Sequence, residues 1–279
     1  MSKLAAETDE LGSSSSSDMQ LGQLANGTAL LQDKEALEKL AERAVAQNKA
    51  PAGVSTAFYE QFQSMWKHLN SKAHQQQRPR LAAINVIART ATTGADCELV
   101  LPFVALWRRA PLPVTPWTTR AVLRQCSRQN RPDLALQLLA DRELYGPQPK
   151  QEDMIELMEA FARQAARAAE RDDTAAVELA LDRMYTTFAL CPYYQIAWSP
   201  LIYQHLVQAG AQVPSEEAWT RAVATAEEQR SADKLTRGTA RAMQKGFAAR
   251  QDAARAAEWE ELCEAMASRP TKPAASRSP

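Results

Sequence analysis

The chain has 279 residues, enough for one or two domains with a real core. Its hydrophobic fraction is 45%, much of it alanine, with 6% aromatic residues and nine glycines. That balance excludes a sheet-rich fold, which needs period-two runs of Val, Ile and Thr, and favours helix, where Ala, Leu, Gln, Glu and Arg are strong formers.

The 33 basic and 33 acidic side chains cancel overall but not locally. Residues 51–150 carry 13 Lys and Arg against 6 Asp and Glu, while the segments before and after are net acidic. This asymmetry is either a basic face turned to an acidic partner or a set of solvated arginines. No apolar stretch approaches the ~18–20 residues of a membrane span, so no membrane insertion is expected. Glu7, Asp9 and Glu10 fit neither a signal peptide nor an acid-poor presequence. Cys97, Cys126, Cys191 and Cys263 form no CxxC pair and read as reduced thiols in or near a core.

In chain order, residues 1–28 read as disordered, because the serine run Ser13–Ser17 and Gly12, Gly22 and Gly27 bury too little to offset ordering entropy. An irregular helical region spans 29–110. Its helices are expected at about 29–47, from Ser55 or Thr56 through Leu69, over 80–91 and over 96–109. The polar stretch Ser71 to Pro79 reads as a loop, and Pro102 is expected in a first turn, where a missing N–H matters little.

Helical repeats are expected over 111–230. The stiff segment 111–116 offers Thr115 as a cap ahead of Pro116. Helices follow over 117–129, 131–144 and 151–171. Another is capped by Thr174 and stops before Pro192; the next runs from Ile196 to Ala209 and is ended by Gly210; a further one opens at Ser215. The C-terminal helices at 231–268 have few anchors, chiefly Phe247, Trp259, Leu262 and Met266, and 269–279 read as a disordered tail. Trp66, Trp107, Trp117, Trp198 and Trp219 fall on apolar faces and are expected in the core.

Residues 117–150, WTTRAVLRQCSRQNRPDLALQLLADRELYGPQPK, carry the most regular pattern. Val122, Leu123 and Cys126 line a first helix, Asn130–Pro132 make a turn, and Ala135, Leu136, Leu138 and Leu139 line a second. Gly146 and Pro149 then close the unit. This unit resembles a pentatricopeptide repeat; any αα-hairpin ending in Gly and Pro is the plainer alternative. Residues 151–192 and 195–230 are looser hairpins whose lengths drift from the period of about 34–35 residues. The run DLALQLLADRELYGPQP and the helices after it resemble the mitochondrial ribosomal small-subunit protein twenty-seven family, over roughly residues 115–210.

The resemblance implies an all-α, right-handed solenoid of helical hairpins with disordered termini. It also implies a non-catalytic scaffold in mitochondria, with ribosomal RNA, ribosomal proteins or other organellar RNA as partners. No cofactor and no small-molecule substrate are implied. Where base-reading members of the wider family select a nucleotide, this chain places Arg120 and Lys150, which suit phosphate rather than base contact.

The candidate site is the basic cluster Arg108, Arg109, Arg120, Arg124, Arg128 and Arg131. Arg120, Arg124 and Arg128 are spaced i, i+4, i+8 and share one stripe of a helix. A stripe of this kind serves as a phosphate-backbone binder, a solvated face or a seam to an acidic partner. His68, His74 and His205 lack metal-ligand spacing, and no phosphate loop, nucleophile elbow or catalytic carboxylate pair appears. The sequence therefore reads as a scaffold. A cytoplasmic protein-binding repeat module stands as the alternative, and an α-helical enzyme as the least supported class.

Overall fold

A computed structural model describes residues 33–71 and 77–267. Residues 1–32, 72–76 and 268–279 lie outside it, and with them the disorder expected at both termini. Thirteen α-helices and no strand occur among the described residues. They are α1 (Lys34–Gln47), α2 (Thr56–Asn70), α3 (Ala82–Thr90), α4 (Gly94–Arg109), α5 (Pro116–Arg128), α6 (Pro132–Ala140) and the single turn α7 (Arg142–Tyr145). The chain continues through α8 (Gln151–Ala169), α9 (Thr174–Ala189), α10 (Pro200–Ala211), α11 (Glu216–Ser231), α12 (Arg237–Ala249) and α13 (Ala253–Ala267).

From α3 onward the helices pair in sequence: α3 with α4, α5 with α6, α8 with α9, α10 with α11 and α12 with α13. The first helices of these pairs also touch in series, α3 to α5, α5 to α8, α8 to α10 and α10 to α12. The second helices do likewise. α4 meets α6, and α6 meets α9; Arg221 to Asp182 at 2.6 Å joins α11 to α9, and Arg230 to Glu258 at 2.7 Å joins α11 to α13. At the other end α1 and α2 pack on α4.

One turn geometry closes three of these pairs. Asn130, Asp172 and Gln251 are left-handed, at φ 59°, 56° and 62°. The following N–H in each case donates to a carbonyl five residues back: Arg131 to Cys126, Asp173 to Ala168 and Asp252 to Phe247, at 2.8 to 3.0 Å. This satisfies carbonyls that a helix end leaves open. The second helix then starts at once, with Asp173 accepting from Ala176 N and Asp252 from Arg255 N.

Several expectations need correction. Pro102 lies in the ninth position of α4, because Thr93 caps Asp96 N and starts the helix at Gly94. Pro102 therefore removes an interior hydrogen bond, a loss of about 3 kcal/mol in an isolated helix, and packing of its buried ring against the core opposes it. Asp173, not Thr174, is the cap of α9. The expected 131–144 helix breaks at Asp141, whose carboxylate instead accepts from Leu144 N and caps α7. Helix α10 starts at Pro200 rather than Ile196, since Gln195 is left-handed and Ser199 accepts from Ile202 N. Gly210 is inside α10, where a Cβ would sit 3.3 Å from the Ala222 Cβ; it brings α11 close and does not end the helix.

The main core runs from Leu37 to Ala218. A second cluster, with Val207, Trp219, Met243, Phe247 and Trp259, is built where α10, α11, α12 and α13 meet. Helix α10 joins the two: Leu206 faces the first and Val207 the second. Trp66, Trp107 and Trp219 are buried as expected, whereas Trp117 is 70% exposed and Trp198 is also exposed. Trp117 follows Pro116 in the first turn of α5.

Candidate partner-binding face

The six arginines of the basic cluster divide according to the carboxylates that the fold sets against them. Arg120 points sideways into α8. Its Nε donates to Asp153 Oδ1 at 2.7 Å and its Nη2 lies 3.3 Å from Glu152. The bond to Asp153 and that carboxylate's charge raise the Arg120 pKa above its already high value. Arg124 Nε donates to Glu156 at 3.0 Å. The stripe of α5 is therefore largely a seam to the acidic first half of α8. One turn on, the same carboxylate row serves α10: Glu159 lies 3.0 Å from His205 Nδ1.

The remaining members are also mostly engaged. Arg131 joins Asp133, at 3.0 Å, and Glu98; burial would lower its pKa, but the two carboxylates outweigh that and raise it. Arg109 pairs with Glu38. Arg108 lies across Gly146, so close that a Cβ there would sit 2.6 Å from its Nε. Arg128 is exposed and has no ion-pair partner among the described residues. Lys150 is exposed beside α8; its backbone N–H donates to Asp153 Oδ2 at 2.8 Å.

The cluster brought together by sequence position is thus not one site. Four other cations, Arg89, Arg128, Arg163 and Arg167, lie in the C-terminal halves of α3, α5 and α8, helices that pack in series, and all are exposed. Arg167 donates to Asn130 Oδ1 at 2.9 Å; the other three have no ion pair among the described residues. Helix C-termini favour cations in any case, since the open carbonyls are negative. The first helices α5 and α8 also reach back to the pair before. Gln125 donates to the Ala91 carbonyl and Gln164 to the Asn130 carbonyl, each the turn of the pair before. Sequence reasoning missed this set because Arg89, Arg128 and the Arg163, Arg167 pair lie 35 to 39 residues apart, and only the packing order relates their helices.

No group of three or more His, Cys, Asp or Glu suited to a metal ion occurs among the described residues. Among these residues, too, no helix is long and apolar enough to cross a membrane. Comparison with known proteins adds nothing to this geometry: no family model, no curated protein and no solved structure matches the chain. What fold and site define is an all-helical protein of sequentially paired helices with an ion-paired surface.

Proposed function

We propose that this chain is a non-catalytic scaffold, a right-handed α-solenoid of pentatricopeptide-like hairpins that grips an RNA-containing assembly. The observation that carries the reading is the serial stacking of helix pairs, three of which close on the same turn. Asn130, Asp172 and Gln251 make the same left-handed turn, and the first helices of the pairs touch in series. Those helices begin at residues 82, 116, 151, 200 and 237, so the first two intervals match a period of about 34–35 residues. The third is longer because a 3-10 turn at Pro192–Tyr194 and the segment to Ser199 are inserted there. Stacks of this kind bury a continuous core and leave long surfaces for partners.

The resemblance of residues 115–210 to the mitochondrial ribosomal small-subunit protein twenty-seven family supports a mitochondrial assembly. Ribosomal RNA and ribosomal proteins are then the partners. Arg89, Arg128, Arg163 and Arg167, exposed and without ion pairs among the described residues, supply phosphate contact by counterion release. Tagged chain is expected to co-sediment with the mitochondrial small ribosomal subunit and to cross-link to its RNA. Sedimentation in a cytosolic, RNA-free complex overturns this reading. That outcome belongs to the second reading, a cytoplasmic protein-binding module, which the ion-paired state of Arg120 and Arg124 favours, since those cations are not free for phosphate.

A further inference from the structure

A cleft of about 630 Å³ lies between α10 and α12. Two glycines of α12, Gly238 and Gly246, are part of its lining. A Cβ at Gly238 would fall 2.4 Å from the Gln204 amide carbon, and one at Gly246 would fall 2.2 Å from the Trp219 ring. Each glycine therefore lets α12 sit directly on its neighbours. The Gly238 approach is fastened by Gln208 Nε2 donating to its carbonyl at 3.4 Å and by Thr236 Oγ1 donating to Gln204 Oε1 at 2.8 Å.

The rim is cationic. Arg241 and Lys245 stand four residues apart on α12, exposed and without ion-pair partners among the described residues. Arg250 closes one end, its guanidinium held 4.1 Å over the Trp219 ring with only a 3.8 Å approach to Glu216. No carboxylate lines the cleft. This differs from the first half of α8, where Arg120 and Arg124 each meet a carboxylate.

We propose that the cleft between α10 and α12 is a docking groove for an acidic peptide segment of a partner protein. Charge requires an anion, and the lining selects the kind. Single-stranded nucleic acid is held without sequence preference by basic grooves that also offer aromatic faces for stacking. Here no ring is offered: Trp219 is buried behind Gly246, packed edge-on by Phe247 and covered by Arg250. Small residues such as Ala242 instead leave room for a peptide main chain, and Gln208 and Gln212, one turn apart, supply amides to bond it. Residues four apart on a helix stand about 6 Å from each other, close to the i, i+2 spacing of about 7 Å in an extended chain. Arg241 and Lys245 therefore match carboxylates on alternate residues of an extended segment. The groove goes beyond the RNA-scaffold reading and does not depend on it.

The test is fluorescence anisotropy of a labelled twelve-residue alternating Glu–Ala peptide with the full chain. The expected result is saturable binding that weakens at least about tenfold in the Arg241→Glu, Lys245→Glu double variant, as loss of paired charges does in other interfaces. Ala242→Trp, which fills the groove without changing its charge, is expected to weaken binding as well, with unchanged helicity showing that the fold is kept. Equal peptide affinity in wild type and double variant overturns the proposal. So does a twelve-nucleotide polyuridine that binds the wild type, loses affinity in the double variant and outcompetes the peptide. Ribosome co-sedimentation surviving in the double variant separates this outcome from failure of the scaffold reading.

Discussion

Arg120 of α5 donates to Asp153 of α8 at 2.7 Å, joining two successive helix pairs through a carboxylate that is almost fully buried. Asp153 also accepts the Lys150 N–H at 2.8 Å, so the same side chain caps its own helix and holds its neighbour. Asp153→Ala removes both roles and leaves Arg120 with Glu152 alone. The expected destabilisation is about 2–4 kcal/mol, because removing one partner strands the other. Arg120→Ala, with its partner still capping α8, is expected to lose less. Urea unfolding of the two single variants and the double variant measures this; a coupling energy near zero contradicts the seam.

Gly146 and Arg108 form a second joint. Gly146 is left-handed at φ 61° and its N–H donates to the Arg142 carbonyl at 2.9 Å, ending α7. Gly146→Ala pays the left-handed penalty of about 1–2 kcal/mol and also displaces the guanidinium lying across it. Arg108→Ala in the same chain should recover the steric part and leave the backbone part. A double variant no more stable than Gly146→Ala by thermal melting disproves the contact.

Asp141 ties α1 to the same region through Lys34, at 2.5 Å. Burial would push its pKa up, but Lys34 and the Leu144 N–H together hold it below the ordinary carboxylate value. A depressed carboxylate stabilises the fold above its unfolded pKa, and the contribution is lost as pH falls through the folded one. With Lys34 half exposed the gain is screened to less than about 1 kcal/mol. Asp141→Asn should therefore lower the urea midpoint above about pH 5 and converge on wild type at the acid limit. A difference that grows on acidification has the wrong sign for this account.

What the sequence made legible was local. Thr115 before Pro116 marked the start of α5, and Gly146 with Pro149 the close of that unit, because capping chemistry acts over three or four residues. The turns at Asn130, Asp172 and Gln251 were not legible as a set, since three different non-glycine residues adopt one left-handed conformation. Pro102 inside α4 was misplaced because a buried ring outweighed its backbone penalty, which only packing reveals. The arginine stripe of α5 was visible as a stripe, but the carboxylates that neutralise it lie 32 and 33 residues away. Nothing in a one-helix pattern announces them. Trp117 was read as core from its apolar neighbours; the start of a helix, where the chain has just turned in, is where that inference fails.

The thiols offer a check on burial. Cys97, Cys126 and Cys191 are buried and Cys263 is partly exposed. Burial pushes the Cys191 thiol up to about 12, and thiolate is the reactive species. Iodoacetamide at pH 8 should modify Cys263 in the native protein and the other three only in denaturant. Rapid native labelling of Cys97 or Cys126 would mean that α4 and α5 do not pack as described.

The two tryptophans at opposite extremes separate core from surface. Trp259 has no exposed area and anchors the small second cluster, with Arg230 stacked at 5.9 Å. Trp117 rests on little of the protein. Trp259→Ala is expected to lose about 3–5 kcal/mol, and because the second cluster is joined to the first mainly through α10, amide exchange should accelerate in α11, α12 and α13 before the rest of the chain. Trp117→Ala should stay within about 0.5 kcal/mol of wild type. If exchange instead rises uniformly in Trp259→Ala, the two clusters unfold as one, and α10 transmits the loss from one to the other.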